Sequence, residues 1–232
     1  MARRVNPLIS FAANLVLEGL GLSADTQAIT DSDESNRREV EIGNTKSIIS
    51  LRQKPGSVSL ILGRREGGKT VLGDRLAELL GRPIYAVTPE QKPPKGVIEI
   101  GIEQVDELPP PYSTLLLDDA PVYMSSRDYH DHKVVNVEKL IPVVRHRRKL
   151  HLIFITQSSA LSDRYILTSD IVLLKPPSIL FMETERNQVV HLYQKVAPLF
   201  SSMSEAQKLR HVYLISEIES GMVRVGMPVF MK

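Results

Sequence analysis

Residues 63–70 read Gly-Arg-Arg-Glu-Gly-Gly-Lys-Thr, the spacing G-x-x-x-x-G-K-[ST], and no other stretch restricts the fold so sharply. The motif lies between an apolar run at 58–62 and a helical pattern at 70–80 that Gly81 closes. Glycines let the main chain wrap around an anion and aim N–H groups at it, and the helix N-terminus adds positive potential. In such a loop Lys69 reaches the β- and γ-phosphates of a nucleoside triphosphate, and the Thr70 hydroxyl ligates Mg²⁺. The competing explanation, an ordinary glycine-containing turn, does not account for strand, loop and helix falling in register. The expected cradle comprises Gly63, Arg64, Arg65, Glu66, Gly67, Gly68, Lys69, Thr70 and Val71. Glu66 is out of character as a carboxylate inside an anion cradle, and should point away from the phosphates or pair with Arg64 or Arg65.

The same rhythm of short apolar run and helical pattern continues downstream. Strands are expected at 84–88, 97–100, Thr114–Leu117, 152–156 and Ile171–Leu174, with a long helix around 134–149. Five or more buried strands joined by helical crossovers imply an α/β fold, with a mainly parallel sheet and helices on both faces. Residues 180–200 have helical spacing despite Pro198, and His211–Ser216 followed by 222–230 reads as a strand and hairpin at the sheet edge. The folded domain is expected over 47–232. Residues 23–46 are polar and mostly acidic, which reads as a linker or mobile arm.

Residues 5–17 carry no charge after Met-Ala-Arg-Arg, but Asn6, Pro7 and Asn14 interrupt them and Glu18 ends them. That falls short of the roughly 20 apolar residues needed to span a bilayer. An amphipathic or docking helix over 1–22 is expected, packed on the protein itself or a neighbouring subunit in preference to lying on a membrane. The absence of cysteine excludes a disulfide framework and thiolate metal sites, and favours an intracellular life. With 29 Lys and Arg against 27 Asp and Glu, the net charge of +2 excludes a binder held to nucleic acid by bulk charge. Any nucleic-acid contact must be a local patch.

Two further strand ends carry candidate chemistry. Leu115-Leu116-Leu117 ends in Asp118-Asp119, 49 residues after Lys69, in the form of a Walker B strand. Ligands gather at the carboxyl ends of strands in open α/β sheets, so Asp118 is placed to hold Mg²⁺ and Asp119 to orient an attacking water. The apolar run at 152–156 ends in Gln157, whose amide both donates and accepts, as sensing a γ-phosphate requires. Arg145, Arg147 and Arg148 form a basic cluster before that run, either a solvated helix end or a group serving a neighbour.

Together, the phosphate loop, residues 115–119, the arginine cluster, Ile155-Thr156-Gln157, Ser162-Asp163-Arg164 and Ser169-Asp170 resemble the FtsK–HerA ATPases. Within that superfamily, the short chain is similar to genome-packaging ATPases of viruses with an internal membrane. The resemblance covers about 58–174. It implies a P-loop NTPase sheet of the additional-strand, RecA/FtsK-like kind, in which the Gln157 strand lies between the P-loop strand and the Walker B strand. It also implies ATP and Mg²⁺ as cofactors, and a homo-oligomeric ring, usually hexameric, that moves double-stranded DNA. Such a protein would act in a host cytoplasm or on a virion, with capsid or membrane contact through its N-terminal segment. One of Arg145, Arg147 and Arg148 would serve as the arginine finger acting across the subunit boundary, with Arg164 in reserve. The departure is Asp119, where the family usually has glutamate. Two other readings remain at this stage: a membrane-associated phage-type assembly ATPase and a P-loop small-molecule kinase, the latter disfavoured by the Gln157 strand end and the absence of an obvious lid.

Overall fold

The computed structural model describes residues 27–28, 39–81, 83–88, 92–105, 107, 109–118, 148–157, 169–178, 182 and 187–229. The expected helix over 1–22, nearly all of that over 134–149, and Asp119, Arg145, Arg147 and Arg164 lie outside the described residues.

Among the described residues nine strands form one sheet: β1 (Gln27–Ala28), β2 (Ser57–Leu62), β3 (Ile84–Val87), β4 (Val97–Glu99), β5 (Thr114–Leu117), β6 (His151–Thr156), β7 (Ile171–Leu174), β8 (His211–Ser216) and β9 (Glu219–Arg224). Their spatial order is β1-β9-β8-β7-β2-β6-β5-β3-β4. Every pairing is parallel except β7 with β8 and β8 with β9. β2, β5, β6 and β7 are buried at every position, which is why they read as continuous apolar runs without alternation.

Helices cover both faces, as the sequence implies. On one side α1 (Lys46–Gln53) and α2 (Lys69–Leu80) pack Ile48, Leu51, Leu72 and Leu76 against Ile61, Leu116, Ile153 and Ile155. On the other, α3 (Asn187–Ser201) packs Val189, Tyr193, Val196 and Phe200 against Leu60, Leu62, Leu117 and Phe154. The strand residues alternate strictly between the two cores, so the side of any residue just beyond a strand end can be counted off. A short helix, α4 (Glu205–Arg210), leads straight into the edge hairpin β8–β9.

The structure departs from the sequence expectations in two places. β9 begins at Glu219 and not at 222, because the Ser216 hydroxyl accepts from the N–H groups of Ile218 (3.2 Å) and Glu219 (3.1 Å) and closes the turn early. Within the stretch read as an arm, β1 pairs with β9 and Ile42 is fully buried, while α1 is capped by Thr45 and by Glu219, whose carboxylate accepts from the Ser47 N–H at 2.6 Å.

Candidate nucleotide-binding site

The glycine-rich loop leaves β2 at Gly63, and its entry is pinned by main-chain bonds. The Leu62 carbonyl accepts from Lys175 N–H at 2.8 Å and from the Tyr193 hydroxyl at 3.0 Å, and Arg64 N–H donates to the Pro176 carbonyl at 3.2 Å. A turn from Arg64 to Gly67 closes at 3.3 Å, with Glu66 in the left-handed region at φ 58°. Glu66 is exposed, as expected, but it does not pair with Arg64, whose guanidinium instead meets Glu205 at 2.6 Å. Gly68, at φ 76°, turns the chain into α2, where a side chain would be strained. Lys69 is only 7% exposed, and its ammonium reaches back across the loop to the Arg64 carbonyl at 2.8 Å.

Thr70, in the first turn of α2, donates its hydroxyl to Asp118 Oδ2 at 2.9 Å. Asp118 stands one residue beyond β5 and two beyond Leu116, which packs against α2, so its side chain falls on the α2 face. Its own N–H donates to the Val87 carbonyl at 3.0 Å. Gln157 follows Thr156, which is paired with Leu62, so the amide emerges beside Gly63; Ile153 and Ile155 set it on the α2 face too. The phosphate loop, Asp118 and Gln157 therefore converge at one edge of the sheet. β6, carrying Gln157, does lie between β2 and β5.

Two buried charges at this edge were not singled out from the sequence. Asp74 sits four residues after Thr70 on α2 and is 5% exposed; burial, with Asp118 adding to it, pushes its carboxyl up to about 7. Lys175 follows β7 and is fully buried. Its three N–H donors go to the carbonyls of Leu209 (2.7 Å), His211 (3.0 Å) and Lys208 (3.3 Å) at the end of α4. Burial, and then the Lys69 ammonium, lower Lys175 to about 8. The only signal in the sequence is an acid on the buried stripe of an apolar helix and a lysine directly after an apolar strand.

Arg148 lies at the opposite end of β6 from Gln157. Its guanidinium donates to the carbonyls of Val105 (2.9 Å), Pro109 (2.8 Å) and Glu107 (3.3 Å), clamping the loop before β5 of its own chain. Asp170 is at that far edge as well, accepting from Val58 N–H at 2.8 Å and pairing with Lys54 at 3.1 Å.

The residues fit a magnesium-bound nucleoside triphosphate. A Cβ on Gly63 would lie 2.5 Å from Lys175 Cβ and one on Gly67 3.0 Å from the Arg64 carbonyl, so the loop curls as only a glycine-rich chain can. A threonine hydroxyl beside a carboxylate is a hard oxygen pair of the kind magnesium takes.

No protein-family model matches the chain, and no curated protein sequence matches it. Solved structures do. The DNA-packaging ATPase B204 from Sulfolobus Turreted Icosahedral Virus superposes with a TM-score of 0.51 at 10% identity, covering 73% of this chain and 98% of that one. The genome packaging NTPase B204 from Sulfolobus turreted icosahedral virus 2, in complex with ATP-gammaS, gives 0.50 at 12% identity over 74% and 98%. The same protein in complex with sulfate gives 0.51 at 11% identity over 75% and 99%. The shared feature is the fold, that of a P-loop NTPase.

Proposed function

We propose that this chain is an ATP-hydrolysing DNA translocase, a genome-packaging motor subunit that works in a homo-oligomeric ring. The observation that carries the reading is the 2.9 Å bond from Thr70 to Asp118, which joins the phosphate loop to the acid-bearing strand with the Gln157 strand inserted between them. The fold it shares with viral packaging ATPases supports the same reading.

In this reading the loop N–H groups and Lys69 hold the phosphates, while Thr70 and Asp118 hold the cation. Magnesium, when bound, supplies positive charge at the β- and γ-phosphates. Asp119 orients the attacking water, and Gln157 reports the γ-phosphate to β6. Asp119 is one methylene shorter than the glutamate usual in the superfamily, which favours slow turnover. Since Arg148 is engaged with its own chain, the finger acting on a neighbouring subunit falls to Arg145 or Arg147. Residues 1–22 serve as a docking helix, for capsid or membrane contact. Among the described residues no helix is long and apolar enough to cross a membrane.

The test is ATP hydrolysis against duplex DNA concentration at several salt levels. DNA should stimulate hydrolysis, stimulation should fall steeply with salt as phosphate contacts are screened, and Lys69→Ala should abolish it. Phosphate release unaffected by DNA would overturn the motor reading, and a phosphorylated acceptor in place of free phosphate would make the protein a kinase.

A further inference from the structure

We propose that Asp74 and Thr88 complete an oxygen-lined cation pocket around the Thr70–Asp118 pair, Asp74 being its second carboxylate. This rests on the nucleotide-site reading above and deepens it by assigning residues that the motifs do not contain.

Asp74 stands four residues after Thr70 on α2. Residues at that spacing share a helix face, and side chains lean towards the helix N-terminus, so the Asp74 carboxyl is turned towards Thr70 and, through it, Asp118. Asp118 is close enough to act electrostatically on Asp74, which places the two acids in one neighbourhood. Asp74 Oδ2 is buried and has no hydrogen-bond partner among the described residues.

Thr88 arrives from a different element. It follows β3, whose Val87 is paired with Leu117, so Thr88 stands beside Asp118 at the strand ends. Ala86 packs in the α2-side core, so by alternation Thr88 faces the same side as Asp118. Its Oγ1 is likewise buried without a partner among the described residues.

Each such orphan is destabilising in an interior, and a helix face laid on a sheet would normally carry an aliphatic residue where Asp74 sits. Two orphaned oxygens from separate elements beside one hydroxyl–carboxylate pair make a set of hard donors. Magnesium binds with several waters retained, and those waters need outer oxygen acceptors of this kind. Asp74 and Thr88 are thus positioning residues that act on the cation through its water.

The experiment titrates Mg²⁺ into the full chain in the presence of a fluorescent ATP analogue, for wild type, Asp74→Asn and Thr88→Val. The EDTA arm gives nucleotide affinity without the cation. Outer-ligand changes typically cost about 10–100-fold in metal affinity. Asp74→Asn should raise the Mg²⁺ midpoint about tenfold or more, Thr88→Val by a smaller factor, with the EDTA affinities matching wild type. Asparagine removes the buried ionisable group and valine the buried hydroxyl, both near-isosterically, so thermal midpoints should not fall. An unchanged Mg²⁺ midpoint in Asp74→Asn overturns the pocket and leaves the nucleotide site standing. A loss confined to the EDTA arm overturns it as well, because Asp74 would then act on the phosphate loop. Wild-type protein that binds no nucleotide in either arm overturns the site reading and the pocket together.

Discussion

Gly63 and Lys175 stand back to back: a Cβ on the glycine would lie 2.5 Å from the lysine Cβ and 3.2 Å from its Cα and carbonyl oxygen. The obstruction is main chain and Cβ, which cannot swing aside. Gly63→Ala should therefore cost about 1–3 kcal/mol, as overpacking does, seen as a lower urea midpoint with unchanged slope. Nucleotide affinity should fall with it, because the displaced segment begins the phosphate loop. A midpoint equal to wild type would mean that β2 and β7 are not this close.

Lys175→Met is expected to be among the most damaging single changes. Methionine fills the volume but leaves the carbonyls of Lys208, Leu209 and His211 without their donor in the interior. Each buried carbonyl left unpaired costs roughly 1–3 kcal/mol. Denaturant unfolding of the variant reads this directly.

The same lysine sets a pH dependence with a definite sign. Its folded pKa is lowered from 10.5 to about 8, so between those values the unfolded chain holds more protons than the native one. Stability should rise as pH climbs through that window, and the penalty is fully present below about 8. Thermal midpoints from pH 7.5 to 10 should increase for wild type relative to Lys175→Met; a parallel pair of curves would refute the assignment.

Thr70→Val and Asp118→Asn should be coupled. The Thr70 hydroxyl donates to a carboxylate at 2.9 Å, and such charge-assisted bonds are worth about 1.5–3 kcal/mol. A double-mutant cycle by urea unfolding should return a coupling of that order, and zero coupling would show that the two do not interact. Each single variant should also lose the tightening of nucleotide binding by Mg²⁺.

Glu66 occupies a left-handed conformation, φ 58°, that costs a side-chain-bearing residue about 1 kcal/mol. Glu66→Gly should leave the thermal midpoint unchanged or raise it slightly. It should also strengthen nucleotide binding, since a negative charge leaves the mouth of an anion site. Weaker binding would indicate that the carboxylate contributes to the cradle.

Much of this was legible before any coordinates, because the signals were local. The loop from Gly63 to Thr70 announces itself by glycine spacing, and β2, β5, β6 and β7 by unbroken apolar runs. The place of β6 between β2 and β5 came from resemblance, since nothing in the residues of a buried strand names its neighbours. What escaped depends on distant partners. Helix α1 carries Lys46, Arg52 and Gln53 and looks unremarkable until Glu219, 172 residues away, is found accepting from its first turn. Arg148 read as part of a solvated helix end or of a cluster serving a neighbour, and nothing local pointed to the carbonyls around Pro109 that engage it. Asp74 and Lys175 are charged residues whose burial only the assembled fold can reveal.

The arrangement of the central strands sets synthesis against assembly. β2 is flanked by β6 and β7, so a nascent chain that has emerged through Asp118 displays both halves of the site with neither lateral neighbour of β2 yet made. β2 and β5 then have open edges able to hydrogen-bond directly to one another, a mispairing that β6 must displace when it arrives. Sheet completion is consequently late and dominated by contacts between remote stretches of chain, which makes it slow. A ribosome-bound fragment ending before residue 151 should stay sensitive to protease and dependent on chaperones, however complete its glycine-rich loop.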